Sequence, residues 1–191
     1  MPNMKRLLLL TLLLIALTTQ SGEIDKSNQL EVNIIRVGPI FQIKMSYQAE
    51  LNACNAFAFI TDYDNMKKIT GVKELKVSSR KGNKVRVERV VEERVLGFPI
   101  VLFSQEEYTE VSLQKLSFEQ TQGDAKFYRG SWSLTPLENR IKFEYESQFE
   151  LDSYIPNVVI NYFIKNSIQS RFEQMVQLTK YVETHPYPAC Q

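Results

Sequence analysis

The clearest pattern in the chain is the alternation from Ile141 to Leu151. Ile141, Phe143, Tyr145, Ser147, Phe149 and Leu151 fall on one side, and Lys142, Glu144, Glu146, Gln148 and Glu150 on the other. A period of two over this length predicts a strand with one buried face. The same alternation runs from Phe41 to Leu51. Between these two lie further strand-like runs: Val72 to Ser79, ending in the turn Arg80-Lys81-Gly82-Asn83; Val85 to Glu93; Phe98 to Thr109; Leu113 to Gln120; and Phe127 to Leu134. At the start of the Phe98 run apolar residues occupy both faces, so its orientation stays open. Short turns such as Gln122-Gly123-Asp124 and Pro136-Leu137-Glu138-Asn139 join the runs, which favours an antiparallel meander of about seven strands.

Two segments carry helical spacing instead. After Asn52, a good N-cap, Ala53, Phe57 and Ile60 are spaced for one short helix, and Met66 and Ile69 for a second that restarts at Asp62 or Asp64. From Pro156, tolerated near a helix start, to Thr184 no glycine intervenes. Roughly 30 residues at 1.5 Å each give a rod of about 45 Å. Seven strands at about 4.8 Å span close to 30 Å, so one diagonal helix covers the sheet. Its contact stripe is Ile155, Val159, Tyr162, Ile168, Phe172, Met175, Thr179 and Val182. The expected class is α+β: a curved antiparallel sheet around a long C-terminal helix, with two short helices after the first strand.

The N-terminus stands apart from this pattern. Lys5 and Arg6 precede the apolar run Leu7 to Leu17, which gives way to Thr18-Thr19-Gln20-Ser21-Gly22. This is the layout of a secretory signal peptide over residues 1–21, an uncleaved membrane anchor being the alternative. Residues 22–38 then form a spacer, 39–184 one domain and 185–191 a tail, in an exported, periplasmic or secreted protein. Without the leader the chain carries 21 basic and 22 acidic residues, with no concentrated basic face for nucleic acid. Its two cysteines, Cys54 and Cys190, either pair in an oxidising compartment or leave a buried Cys54 and a free thiol on the tail.

Candidate chemistry is sparse. The single histidine, His185, lies in a tail broken by two prolines, which weakens hydrolase and zinc-enzyme readings, and nucleotide-binding glycine motifs are absent. Polar residues do interrupt inward faces. Arg89 sits on a valine face, where it either orients a ligand or pairs with an acid on a neighbouring strand. Tyr145 on the last strand either does the same or is core with its hydroxyl at the edge. In GDAKFYRGSWSL, Tyr128, Gly130, Trp132 and Leu134 share a face; a glycine inside a strand marks a bend or a close approach, and Trp132 is either pocket wall or core. The helix start, Val158 to Ile164, is apolar nearly all round, more than one sheet requires, so a ligand, a lid loop, a partner protein or a membrane also meets it.

Three segments carry a family resemblance. AFAFITDYDNMKKITGVKELKV is similar to a helix pair with its "DY" followed by a Pro- or Gly-containing turn, GDAKFYRGSWSL to a "G-x-x-x-x-x-x-G-x-W" strand, and RIKFEYESQFELDSYIP to the strand leading into a closing helix. From about Phe41 to Thr184 the chain resembles the START-like (SRPBCC) superfamily, and within it the polyketide cyclase/dehydrase and coenzyme Q-binding group. Thr70-Gly71 stands where coenzyme Q-binding members usually carry a proline-containing motif. The resemblance implies a helix-grip fold around a hydrophobic cavity that binds lipids, quinones or polyketide-like molecules, with no uniform catalytic set to carry over. The expected function is an exported, non-catalytic binder or carrier of such a molecule, without metal or cofactor and with transient membrane contact as a further partnership. Val87, Arg89, Phe118, Tyr128, Trp132, Phe143 and Tyr145 form the expected walls, with Val159 and Tyr162 at the entrance. A cyclase or dehydrase using Arg89 and Tyr145, and a protein- or membrane-docking module, are the alternatives.

Overall fold

The computed structural model describes residues 30–95, 98–151 and 157–191; the leader-like segment lies outside them. Eight strands, β1 (Glu31–Val37), β2 (Ile40–Ala49), β3 (Val72–Lys81), β4 (Lys84–Val95), β5 (Phe98–Val111), β6 (Lys115–Gly123), β7 (Ala125–Pro136) and β8 (Ile141–Leu151), form one antiparallel sheet. Its order is β1-β2-β8-β7-β6-β5-β4-β3. The alternation predicted about seven strands; the eighth is β1, in the stretch read as a spacer, which pairs with β2 from Glu31↔Ser46 to Val37↔Ile40.

The chain crosses from β2 to the far edge of the sheet through α1 (Ala53–Thr61) and α2 (Tyr63–Met66). The Oδ1 of Asn52 accepts from the Asn55 amide at 2.8 Å and starts α1. Asp62 then closes one helix and opens the next: its amide bonds the Phe59 carbonyl, and its carboxylate accepts from the Asn65 amide at 3.0 Å. One aspartate therefore sets the corner between the helices. α1 packs on β6, β7 and the long helix, and α2 on β3.

The long helix α3 (Asn157–Thr184) lies in the concave side of the curved sheet. Its buried stripe is Ile160, Ile164, Phe172, Met175, Thr179 and Val182. In the first turns the stripe thus runs through Ile160 and Ile164; the side chains of Val159 and Tyr162, and all of Ile155, lie outside the described residues. Toward the C-terminal end the interior is solid. Tyr47 stacks on Phe143 at 4.7 Å, Phe59 meets Phe143 edge-on at 6.2 Å, and the Tyr47 hydroxyl bonds Thr179 Oγ1 at 2.8 Å. The cysteines are joined: Cys54 on α1 and Cys190 form a disulfide, with Cα atoms 5.6 Å apart. The same tail bonds α1 and α2 through the Tyr187 amide on Asn55 Oδ1 at 2.8 Å and the Tyr187 hydroxyl on Asp62 at 3.0 Å.

Candidate functional site

Sheet and helix part company on the other side of Trp132. A cavity of about 270 Å³ opens between them. Its floor is an aromatic network across four strands: Phe118 on β6 meets Tyr108 on β5, Tyr128 on β7 and Tyr145 on β8, and Tyr145 meets Trp132 on β7, with ring centroids 4.8–6.1 Å apart. Ile60, Tyr63, Met66 and Ile69 of the α1–α2 segment close one wall, and Ile164, Ile168, Phe172 and Met175 of α3 form the roof. Tyr145 and Phe172 touch at 5.2 Å, so this pair and Trp132 mark where filled core gives way to open space.

Gly130 makes the floor flat. A Cβ there would come 2.3 Å from the Glu146 carbonyl oxygen and 2.7 Å from Cζ of Phe118. Only a bare backbone lets the Phe118 ring lie across β7 between Tyr128 and Trp132. The close approach expected of the glycine in GDAKFYRGSWSL is this contact.

A polar cluster interrupts the apolar surface on β4 and β5. Arg89 lines the cavity and donates from Nη2 to Glu106 Oε1 at 2.5 Å. Glu106 is fully buried behind it and also accepts from Ser104 Oγ at 2.7 Å and, on Oε2, from the Tyr108 hydroxyl at 2.6 Å. Three donors on a buried carboxylate are what its desolvation demands. The Arg89 guanidinium stands 5.4 Å from the Tyr128 ring centroid, and the Tyr128 and Tyr145 hydroxyls bond each other at 2.9 Å. The Nε of Arg89 is buried and has no partner among the described residues. An unpaired buried donor costs about 1–3 kcal/mol.

Protonation states follow from burial. Desolvation, the largest influence, holds Tyr108, Tyr128 and Tyr145 above the ordinary phenol range, so near neutrality they donate protons and do not serve as bases. Burial alone would weaken the charge on Arg89, but Glu106, Tyr128 and Tyr108 outweigh it and hold the guanidinium protonated even more firmly than usual. At the rim, Arg171 pairs with Glu93 and donates Nε to the Thr70 carbonyl at 3.3 Å; burial and the charge of Arg89 lower it to about 10. Gly71, at φ +90°, lets this pair close over the turn: a Cβ there would lie 2.6 Å from Arg171 Nη2.

Of the residues expected as walls, Arg89, Phe118, Tyr128, Trp132 and Tyr145 line the cavity. Val87 and Phe143 do not: Val87 packs with Tyr63, Leu75 and Val85, and Phe143 is sealed between Tyr47 and Phe59. They share the inward face but sit where that face is already filled. The entrance residues Val159 and Tyr162 have side chains outside the described set. Glu106, Ser104, Tyr108 and Arg171 were not anticipated. Ser104, Glu106 and Tyr108 alternate on one face of β5, a signal masked by the apolar residues on both faces at its start. Among the described residues no group of three or more His, Cys, Asp or Glu side chains gathers as a metal site, and no helix is long and apolar enough to cross a membrane.

The fold recurs in solved structures. A STAR-related lipid transfer protein from Xanthomonas axonopodis superimposes with a TM-score of 0.66 at 10% identity, covering 79% of this chain and 93% of that one. The Zhui aromatase/cyclase from a Streptomyces species gives 0.62 at 8% identity over 75% of this chain and 95% of its own. A START superfamily protein from Mycobacterium smegmatis gives 0.61 at 10%, covering 74% and 98%. At these identities the likeness is one of fold. No curated protein matches the sequence. Residues 50–176, from the α1–α2 wall through the sheet to the cavity-lining part of α3, match the family described as polyketide cyclase / dehydrase and lipid transport, and the chain belongs to that family.

Proposed function

We propose that this protein is an exported binder or carrier of a hydrophobic small molecule, of lipid, quinone or polyketide-like character, held between the sheet and α3. The observation that carries the reading is the cavity itself: about 270 Å³, walled by aromatic and aliphatic side chains with a small polar cluster at one side. Ligand sites have this makeup, a mostly apolar surface with a few placed polar groups, and this cavity is close to the small end of their range of about 300–1,000 Å³. Export is supported by the leader-like residues 1–21 and by the Cys54–Cys190 bond, since disulfides persist mainly in oxidising compartments. Native mass spectrometry and solvent extraction of the purified protein test the reading. A co-purifying apolar molecule is expected, and Ile168→Trp, which puts an indole into the cavity, should abolish its retention while the circular dichroism spectrum is kept. Equal retention in that variant would refute it.

A cyclase or dehydrase is the second reading, favoured by the Tyr128–Tyr145 hydroxyl pair beside Arg89. These groups are donors, suited to polarising a carbonyl or delivering a proton to a leaving hydroxyl. Turnover of a polyketide-like substrate lost in Tyr145→Phe with binding retained would favour it over carriage.

A further inference from the structure

Resting on the reading of the cavity as a ligand site, we infer that its polar cluster selects a neutral ligand carrying an acceptor oxygen, a carbonyl or hydroxyl, over one carrying a carboxylate. The cluster contains a cation, but that charge is already taken. Arg89 binds Glu106 at 2.5 Å, and Glu106, fully buried, is turned toward its three donors and away from the open space. The second cation at the cavity, Arg171, is matched in the same way by Glu93. Asp124 adds a negative charge to the lining and accepts from the Phe103 amide at 2.7 Å.

Arginines and glutamates are therefore matched one to one around the site. An entering carboxylate would lose its hydration, meet a guanidinium whose charge is neutralised and come close behind Arg89 to the negative charge of Glu106. What the cluster still offers is hydrogen-bond donors. The Nε–H of Arg89 is buried without a partner. Of the two protons on the Tyr128 and Tyr145 hydroxyls, one is spent within their mutual bond at 2.9 Å and the second remains to donate. Two donors in a cluster whose charges are already matched fit a neutral oxygen with lone pairs.

The test uses a matched pair of probes, the fluorescent polyene fatty acid parinaric acid and its methyl ester, titrated at pH 7.5 against energy transfer from Trp132. This is the only tryptophan and it lines the cavity, so the signal reports occupancy of this site. The ester should bind at least tenfold more tightly than the acid. Glu106→Gln, which frees the charge of Arg89 at nearly constant shape, should raise affinity for the acid at least tenfold and leave the ester within about threefold. Should that variant fail to fold, the double variant Arg89→Met/Glu106→Gln serves in its place: it removes the Nε–H donor without leaving a buried charge unpaired and should weaken the ester at least fivefold. An acid bound as tightly as the ester by the wild type, or acid affinity unmoved in folded Glu106→Gln, or ester affinity unmoved in the folded double variant, overturns the inference while the cavity reading stands. Quenching by neither probe overturns both.

Discussion

Replacing both Cys54 and Cys190 with serine removes a link between residues 136 apart in sequence. In the chain-entropy model, opening a loop of that length returns about 17 cal/mol/K to the unfolded chain, or about 5 kcal/mol at 25 °C. This is a ceiling. The native tail keeps its other ties, the Tyr187 amide on Asn55 and the Tyr187 hydroxyl on Asp62, so the folded state should change little and most of the loss should arise in the unfolded ensemble. A drop of 2–5 kcal/mol is expected, or roughly 5–20 °C in Tm for a domain of this size. Urea unfolding read by Trp132 fluorescence and far-UV circular dichroism measures it, and the m-value should rise because the uncrosslinked chain expands further. A denaturation midpoint and m-value both unchanged would refute the reasoning, since nothing else in the fold replaces a covalent tie between the end of the chain and α1.

Two other predictions concern the aromatic floor. Gly130→Ala places a Cβ 2.3 Å from a backbone oxygen that cannot yield, so it should destabilise by about 1–3 kcal/mol in the same urea assay and shift the Phe118 ring; a loss under about 0.5 kcal/mol would contradict the close approach. Burial raises Tyr47, Tyr108, Tyr128 and Tyr145 above the ordinary phenol value, so between the unfolded value near 10 and the higher folded values the native state keeps protons that the unfolded chain releases. Stability should therefore be indifferent to these tyrosines below pH 10 and fall above it by up to about 5 kcal/mol per pH unit, with the share of the 295 nm absorbance due to these four phenols appearing in one step with unfolding; gradual titration of all the phenols in the folded protein would contradict this.

The sheet was legible wherever a strand keeps one face wet. In β2 and β8 the buried residues, Phe41 to Ala49 and Ile141 to Ser147, are those the alternation names. β1 escaped because it is an edge strand: Val32 and Ile34 are only half-buried, while Ile35 and Val37 face outward and stay exposed, so no clean period forms. The period of two reports which face a residue takes, never how deep under the helix it lies. That is why Arg89 and Val87, or Tyr145 and Phe143, looked equivalent, although two residues along the strand separate cavity wall from sealed core. Glu106 was illegible for another reason. A glutamate at an inward position makes sense only with Arg89, Ser104 and Tyr108 around it, and only Arg89 belongs to another strand, whose register the sequence does not print.

The position of the cavity follows from how the two halves of α3 are supported. Under Met175 to Val182 the helix rests on Tyr47 and Phe143, with α1 packed alongside, and the Tyr47–Thr179 bond satisfies the polar groups that burial isolates there. The first turns are held as well, by Ile160 and Ile164 packed on Phe41 and by Arg36 donating to Asn161 Oδ1 at 3.0 Å, so the helix is fixed across the sheet at both ends. The Trp132–Tyr145–Phe172 contact closes the cavity at that end, and a second packed cluster, Ile160 and Ile164 of α3 on Phe41 of β2, closes it at the other. An apolar void costs on the order of 24 cal/mol per Å³, so about 270 Å³ costs at most about 6 kcal/mol, and less where solvent or a ligand fills it. The disulfide, at up to about 5 kcal/mol, is of the size needed to offset it, and it is anchored on α1, next to the wall that the α1–α2 segment contributes. A chain that leaves a cavity between packed clusters thus ties its own end to the wall of the opening.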